Sequence, residues 1–196
     1  MASYATESIR AVALVGHGGS GKTTLAEALL FKAGAIPAKG AVEKGATVCD
    51  FDPQEKSAGH SLNSALVNFT AEGVHIHLVD APGYPDFAGQ AFAALAGVDT
   101  AIIVVNAQTG VELMTERMMR VARQRGLARM IVINKIDADN LDLPGLVANI
   151  RERFGNECKL LDLPAHDRAD VVEVLEHDSG DADFDTVAHA HRELID

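Results

Sequence analysis

Eight residues, Gly16-His17-Gly18-Gly19-Ser20-Gly21-Lys22-Thr23, fit the pattern GxxxxGK[ST] at every fixed position. Four glycines among eight residues let a backbone wrap closely round an anion with its N–H groups turned inward. Lys22 is placed to reach the β- and γ-phosphates of a nucleotide, and the Thr23 hydroxyl to hold Mg2+. Thr24 continues the same loop into a helix. The flanks agree with this reading. Residues 11–15 form an apolar run that reads as a buried strand, and 24–30 have helical spacing and good helix formers. A helix starting there points its positive dipole end at the same anion.

Two further motifs follow at strand ends. Asp80-Ala81-Pro82-Gly83-Tyr84 closes an expected strand over 74–79. An Asp in that place suits a second magnesium contact, and Gly83 can present its N–H to a γ-phosphate because no side chain blocks the approach. A plain Pro-Gly turn would explain Pro82 and Gly83 but not the Asp. Asn134-Lys135-Ile136-Asp137 then follows an apolar run over 130–133. The Asp137 carboxylate can accept two N–H bonds from the N1 and N2 edge of guanine. Adenine has no matching pair, and leaving a buried carboxylate unpaired rejects the wrong base strongly. Asn134 can reach the O6/N7 edge, and the Lys135 stem can lie along the ring. This set argues against an ATP-dependent enzyme such as a kinase.

The connecting elements are legible from spacing. Gly34 ends the first helix. Residues 35–60 lose all periodicity and read as a long functional loop that closes over a γ-phosphate, mobile until it does so. Residues 64–69 and 74–79 read as a hairpin around 71–73. His75 and His77 share one face of its second strand. With no third ligand at useful spacing, they read as a polar face rather than a metal site. Helices are expected over 86–95, 112–125 and 143–154, and a buried strand over 100–105. Met114, Met118 and Val121 on one helical face read as core. Beyond that, 159–163 and 170–176 look like short strands, 176–185 like an acidic loop, and 186–195 like a helix with solvated His189 and His191.

The 196 residues carry a net charge of −11 with 47% hydrophobic residues, an ordinary composition for one sizeable core. So acidic a chain is not expected to track along nucleic acid or to make sequence-specific contacts with it. Cys49 and Cys158 read as free thiols of a reducing compartment. The N-terminal residues lack a secretory h-region, and no apolar run is long enough to span a bilayer, so a cytoplasmic protein without a membrane partner is expected.

Taken together, these residues resemble the GTPase domain of bacterial elongation factor G, and especially its elongation factor G-like paralogues. Gly16 to Thr24 is similar to the family's GHxxxGKTT, Asp80 to Phe87 to its DxPGHxDF, and Asn134 to Asp137 to its NKxD. The resemblance runs from about Ile9 onward with similar spacing between motifs. It implies an α/β P-loop fold of the translational GTPase kind: a three-layer sandwich with a mostly parallel sheet and one antiparallel hairpin strand. It also implies binding of GTP and GDP with Mg2+, hydrolysis of GTP, and a ribosome as partner of a monomeric factor. Thr23, Ser61 and Asp80 would be the metal ligands, and Lys22, Gly83 and Tyr84 the catalytic set.

Departures from the family pattern are specific. Cys49-Asp50-Phe51-Asp52 up to Ser64-Ala65 occupies the place of the first switch, but Ala58-Gly59-His60-Ser61 stands where the family has RGIT. Ser61 keeps a hydroxyl there. Tyr84 stands in place of the His that positions the attacking water, and a phenol is a poor base at neutral pH. Gly19 replaces a frequent Asp. No Ser-Ala loop follows Asp137. The resemblance therefore predicts a core over 1–155 with five of six sheet strands and part of an inserted subdomain over 156–196. It also predicts weaker nucleotide affinity, because part of the base pocket is missing.

Overall fold

The computed structural model describes residues 4–195. They gather into two compact units, one ending at Asn134 and one beginning at Lys135.

The first unit is built on continuous apolar runs. In β1 (Ile9–Gly16) the residues Ala13, Leu14 and Val15 have no exposed surface. Strands that lose the apolar–polar alternation are those buried on both faces of a parallel sheet. β2 (Ala65–Ala71), β3 (Val74–Asp80), β4 (Thr100–Asn106) and β5 (Ala128–Asn134) join β1 in a five-stranded sheet. The order is β2-β3-β1-β4-β5. β1 is parallel to β3 and β4, β4 is parallel to β5, and β2 alone runs antiparallel, against β3. The expected hairpin turns on Glu72 and Gly73, with φ of 49° and 81°. Two-residue turns of that handedness match the twist of the strands they join. On β3, His75 stacks on Tyr4 at 4.1 Å and meets His77 edge-on at 4.8 Å.

α1 (Lys22–Lys32) packs Ala26 and Leu30 over Leu14, Leu78 and Val104. The segment after it is not structureless as expected. It contains a 3-10 turn at Val42–Lys44 and α2 (Pro53–Ala58). α2 exists because Asp52 and Glu55 form a capping box and Pro53 opens the helix, a local signal that overrides the missing periodicity. After a 3-10 turn at Pro85–Phe87 come α3 (Ala88–Ala96) and α4 (Leu113–Gln124), which pack on β1 and β4. The buried stripe of α4 is Met114, Met118 and Ala122, with Met119 beside it, while Val121 is half-buried at its edge.

The second unit has its own core. α5 (Leu143–Phe154) starts where Asp142 accepts the Gly145 N–H at 2.9 Å. β6 (Asp162–Ala165) and β7 (Asp170–Glu173) form an antiparallel pair, and α6 (Val187–Ile195) follows. Leu163, Val174, Val187 and Ala190 are buried together. The first short strand thus lies later than the expected 159–163, and the second is shorter than 170–176. His191 is not solvated as expected: it is half-buried, with Nδ1 2.8 Å from the Val174 carbonyl. Among the described residues no helix is long and apolar enough to cross a membrane.

Truncating a side chain at the centre of the sheet should cost more than one at its edge. Ile103→Ala, at a fully buried position, is expected to lower unfolding free energy by about 2–5 kcal/mol. Leu66→Ala, at a position 67% exposed on β2, is expected to stay within about 0.5 kcal/mol. Urea unfolding of both variants checks the contrast.

Candidate functional site

The parallel strands end at one edge of the sheet, where Leu14 pairs with Asp80 and Asn106 with Asn134. Loops beyond the C-terminal ends of such strands are where open α/β sheets hold ligands. The glycine loop 16–21 leaves β1 there. At Gly16 a Cβ would collide with the Val104 carbonyl oxygen, so the turn out of β1 requires glycine. Gly19 and Gly21 have φ of 75° and 94°, and Gly21 directly precedes α1. The Ser20 hydroxyl donates to the His17 carbonyl at 2.9 Å, and Asn134 Nδ2 donates to the Ser20 carbonyl at 2.9 Å. Asn134 therefore ties the end of β5 to the glycine loop. His17 Nε2 lies 3.5 Å from Glu112.

Lys22 is buried, and its ammonium donates to the carbonyls of His17 at 2.7 Å and Gly16 at 3.3 Å. Burial lowers its pKa to about 8, against the opposing pull of Asp80 and Glu112. Thr23 is buried beside it, whereas Thr24 is exposed.

Four oxygen-bearing side chains meet next to Lys22. Thr23 Oγ1 donates to Asp80 Oδ2 at 2.7 Å. Ser61 Oγ lies 3.3 Å from Thr23 Oγ1 and donates to Asp50 Oδ1 at 2.7 Å. Asp80 and Asp50 are 1% and 3% exposed. Burial raises Asp80 to about 6; the Thr23 hydrogen bond and Lys22 oppose the shift, and Asp50 adds to it. The other oxygen of Asp80, Oδ1, is buried without a hydrogen-bond partner. Hard oxygen donors, excess negative charge and an orphaned carboxylate oxygen fit Mg2+. Asp50 is the member that sequence reasoning missed as a site residue. It sits in an aperiodic stretch, and only its contact with Ser61 marks it. Cys49 beside it is buried, and burial together with Asp80 pushes its thiol pKa up, so it stays protonated.

Gly83 closes directly on the glycine loop. A Cβ there would meet Lys22 Nζ and lie 2.6 Å from the His17 carbonyl carbon. The Tyr84 ring packs on Gly18, where a Cβ would stand 2.8 Å from its Cζ. The ring also lies beside that of His60, 4.6 Å away between centroids, with Phe87 at 6.1 Å from His60. Lys135 and Asp137 belong to the second unit. Both are exposed, and Lys135 turns the chain with φ of 62°.

Two outcomes follow from this geometry. Gly83→Ala forces the Asp80–Tyr84 loop off the glycine loop and is expected to weaken nucleotide binding at least about tenfold by calorimetry. Asp80→Asn separates stability from binding. Asp80 holds its proton more tightly folded (about 6) than unfolded (3.8), so the parent loses stability as pH rises from 3.8 to about 6 and does not regain it above. With metal chelated at pH 7, Asp80→Asn is expected to be about 1–3 kcal/mol more stable than the parent, the gap closing toward pH 4. A cation site built on Asp80 further predicts that added Mg2+ stabilises the parent against unfolding but not Asp80→Asn.

Comparison with known proteins agrees with the motifs. The chain is 38% identical over 159 residues to an elongation factor G-like protein of Mycobacterium tuberculosis, covering 81% of this chain and 22% of that protein. It is 37% identical over 156 residues to elongation factor G 2 of Streptomyces coelicolor, covering 80% and 23%. The chain thus spans about a fifth of the length of these curated relatives. A crystal structure of a Thermus thermophilus protein superposes with a TM-score of 0.83 at 36% identity, over 95% of this chain and 30% of that one. Residues 7–190 match the model of the elongation factor Tu GTP binding domain, and the chain belongs to that family.

Proposed function

We propose that this chain binds GTP and GDP with Mg2+ and hydrolyses GTP as the nucleotide domain of an elongation factor G-like translation factor, stimulated by the ribosome. The observation that carries the reading is the cluster of buried Thr23, Asp50 and Asp80 with half-buried Ser61 against Lys22, at the mouth of a glycine loop. In this reading the N–H groups of 18–23 and the Lys22 ammonium hold the β- and γ-phosphates. Lys22 exchanges its hydrogen bonds to the Gly16 and His17 carbonyls for phosphate oxygens. Thr23, Ser61 and Asp80 hold Mg2+, which neutralises charge on the phosphates when bound. Asn134, Lys135 and Asp137 select guanine. Gly83 offers its amide to the γ-phosphate, and Tyr84 orients the water. That water's oxygen forms a bond to the γ-phosphorus as the bond to the β–γ bridging oxygen breaks, and its proton passes to an oxygen of the departing phosphate, giving GDP and inorganic phosphate. Catalysis of this kind is positioning plus electrostatics. Residues 1–155 act as the GTPase core and 156–196 as part of an inserted subdomain. The protein works in the cytoplasm as a monomer, and its charge of −11 leaves nucleic-acid contact to its partners.

Tyr84 favours a second reading, a GTP/GDP-operated switch whose hydrolysis is vestigial. Tyr84 is 39% exposed and carries a hydroxyl where the family pattern has an imidazole. GTP turnover with and without ribosomes decides between the two. Stimulation of at least about a hundredfold supports the enzyme, in line with the activation seen when GTPases meet their activators. No turnover by the parent, with turnover appearing in Tyr84→His, supports the switch.

A further inference from the structure

Two buried carboxylates stand outside the cluster and take no part in the mechanism above. Glu27, inside α1, is 1% exposed. Its Oε2 accepts the Gly40 N–H at 2.7 Å and its Oε1 the Val48 N–H at 2.6 Å. Glu55, in α2, is 2% exposed. Its Oε1 accepts the N–H groups of Leu62 at 2.9 Å and Asn63 at 3.0 Å, while Oε2 accepts the Asp52 N–H at 3.3 Å. Only the Asp52 bond serves the helix cap. Neither amide that the Glu27 carboxylate holds belongs to α1.

Val48 and Leu62, two of the residues whose amides they hold, bracket the segment from Asp50 to Ser61. Val48 lies two residues before Asp50, and Leu62 directly follows Ser61. We infer that Glu27 and Glu55 are positioning residues for the cation: they pin the chain before Asp50 and after Ser61, so that Asp50 can hold the Ser61 hydroxyl next to Thr23. This rests on the Mg2+-dependent nucleotide reading above. The physical reason for a carboxylate at each point is that one side chain must satisfy two or three backbone donors in a buried place. Charge-assisted bonds to an acceptor with two oxygens do that. At position 27 glutamine has one acceptor oxygen and turns its NH2 toward the other amide N–H, leaving that donor unpaired; at position 55 one oxygen accepts both Leu62 and Asn63, so only removing the whole group frees them.

The test uses Glu27→Gln and Glu55→Ala in the full chain, with the exposed Glu43→Gln as control. GDP affinity is measured by calorimetry in Mg2+ and again in chelator, and amide hydrogen exchange is followed by NMR. Exchange at Gly40 and Val48 should speed at least about tenfold in the first variant, and at Leu62 and Asn63 in the second, since a lost buried bond opens the segment locally. The factor by which Mg2+ raises GDP affinity should fall at least about fivefold in both, with affinity in chelator within about twofold of the parent and Glu43→Gln unchanged. Variants that keep the parent's Mg2+ factor overturn the inference. Equal losses with and without Mg2+ also overturn it, because they mark general damage to the pocket. A parent whose affinity ignores Mg2+ overturns the cation reading itself and this inference with it. Should a variant fail to fold, exchange in the parent decides: adding Mg2+ and GDP must slow Gly40, Val48, Leu62 and Asn63 together, and no slowing overturns the proposal.

Discussion

A carboxylate buried at the end of a strand, with one oxygen lacking a donor, sets the terms for the rest of this fold. Asp80 is held above its ordinary pKa by desolvation, with a second buried carboxylate, Asp50, close by. Lys22 offsets part of the charge and is itself pushed toward neutrality by burial. A chain that only needed to fold would place an apolar residue at the end of β3, where Leu78 and Ala81 are already in the core. Keeping Asp80 there makes sense if a cation completes the group, because a divalent ion reverses the local charge balance. Stability given up at the site is supplied by the continuous apolar strands β1 and β4 and by α4 packed on them.

The same use of carboxylates governs the loop after α1. A stretch without hydrophobic periodicity cannot hold itself in place by burial alone. Here it is held by hydrogen bonds to acids rooted in helices. Glu27 receives amides from both ends of the 40–48 turn, and Glu55 receives those that follow Ser61. Such bonds are directional, so they set position rather than mere compactness. They also hold the loop through a small number of contacts, and segments held that way open locally at low free-energy cost.

Most of the architecture is legible in the sequence because its signals are local. The glycine loop, the strand-ending Asp80 and Asn134, and the Glu72-Gly73 turn are each fixed by residue type at a given spacing. β1 and β4 announce themselves as unbroken apolar runs. Less legible are features that depend on partners distant in sequence. Asp50 has no pattern around it, and its role shows only in the 2.7 Å contact with a residue eleven positions away. Glu27 reads as one polar residue on a helix until the chain returns to it. α2 escapes a periodicity reading because a capping box of Asp52 and Glu55 outweighs the glycines and charges around it. His191 reads as solvated because two-residue spacing says nothing about which of a pair meets a carbonyl. In the second unit, strand boundaries shift by a few residues because four-residue strands carry little periodicity.

The most direct test of the account is a calorimetric titration of this chain, in Mg2+, with GTP, GDP and ATP, repeated on Asp137→Asn. Saturable binding of both guanine nucleotides, no binding of ATP, and loss of guanine binding in the variant are the predicted result. Binding of ATP as tight as that of GTP, or guanine binding untouched in Asp137→Asn, would contradict the assignment of the site.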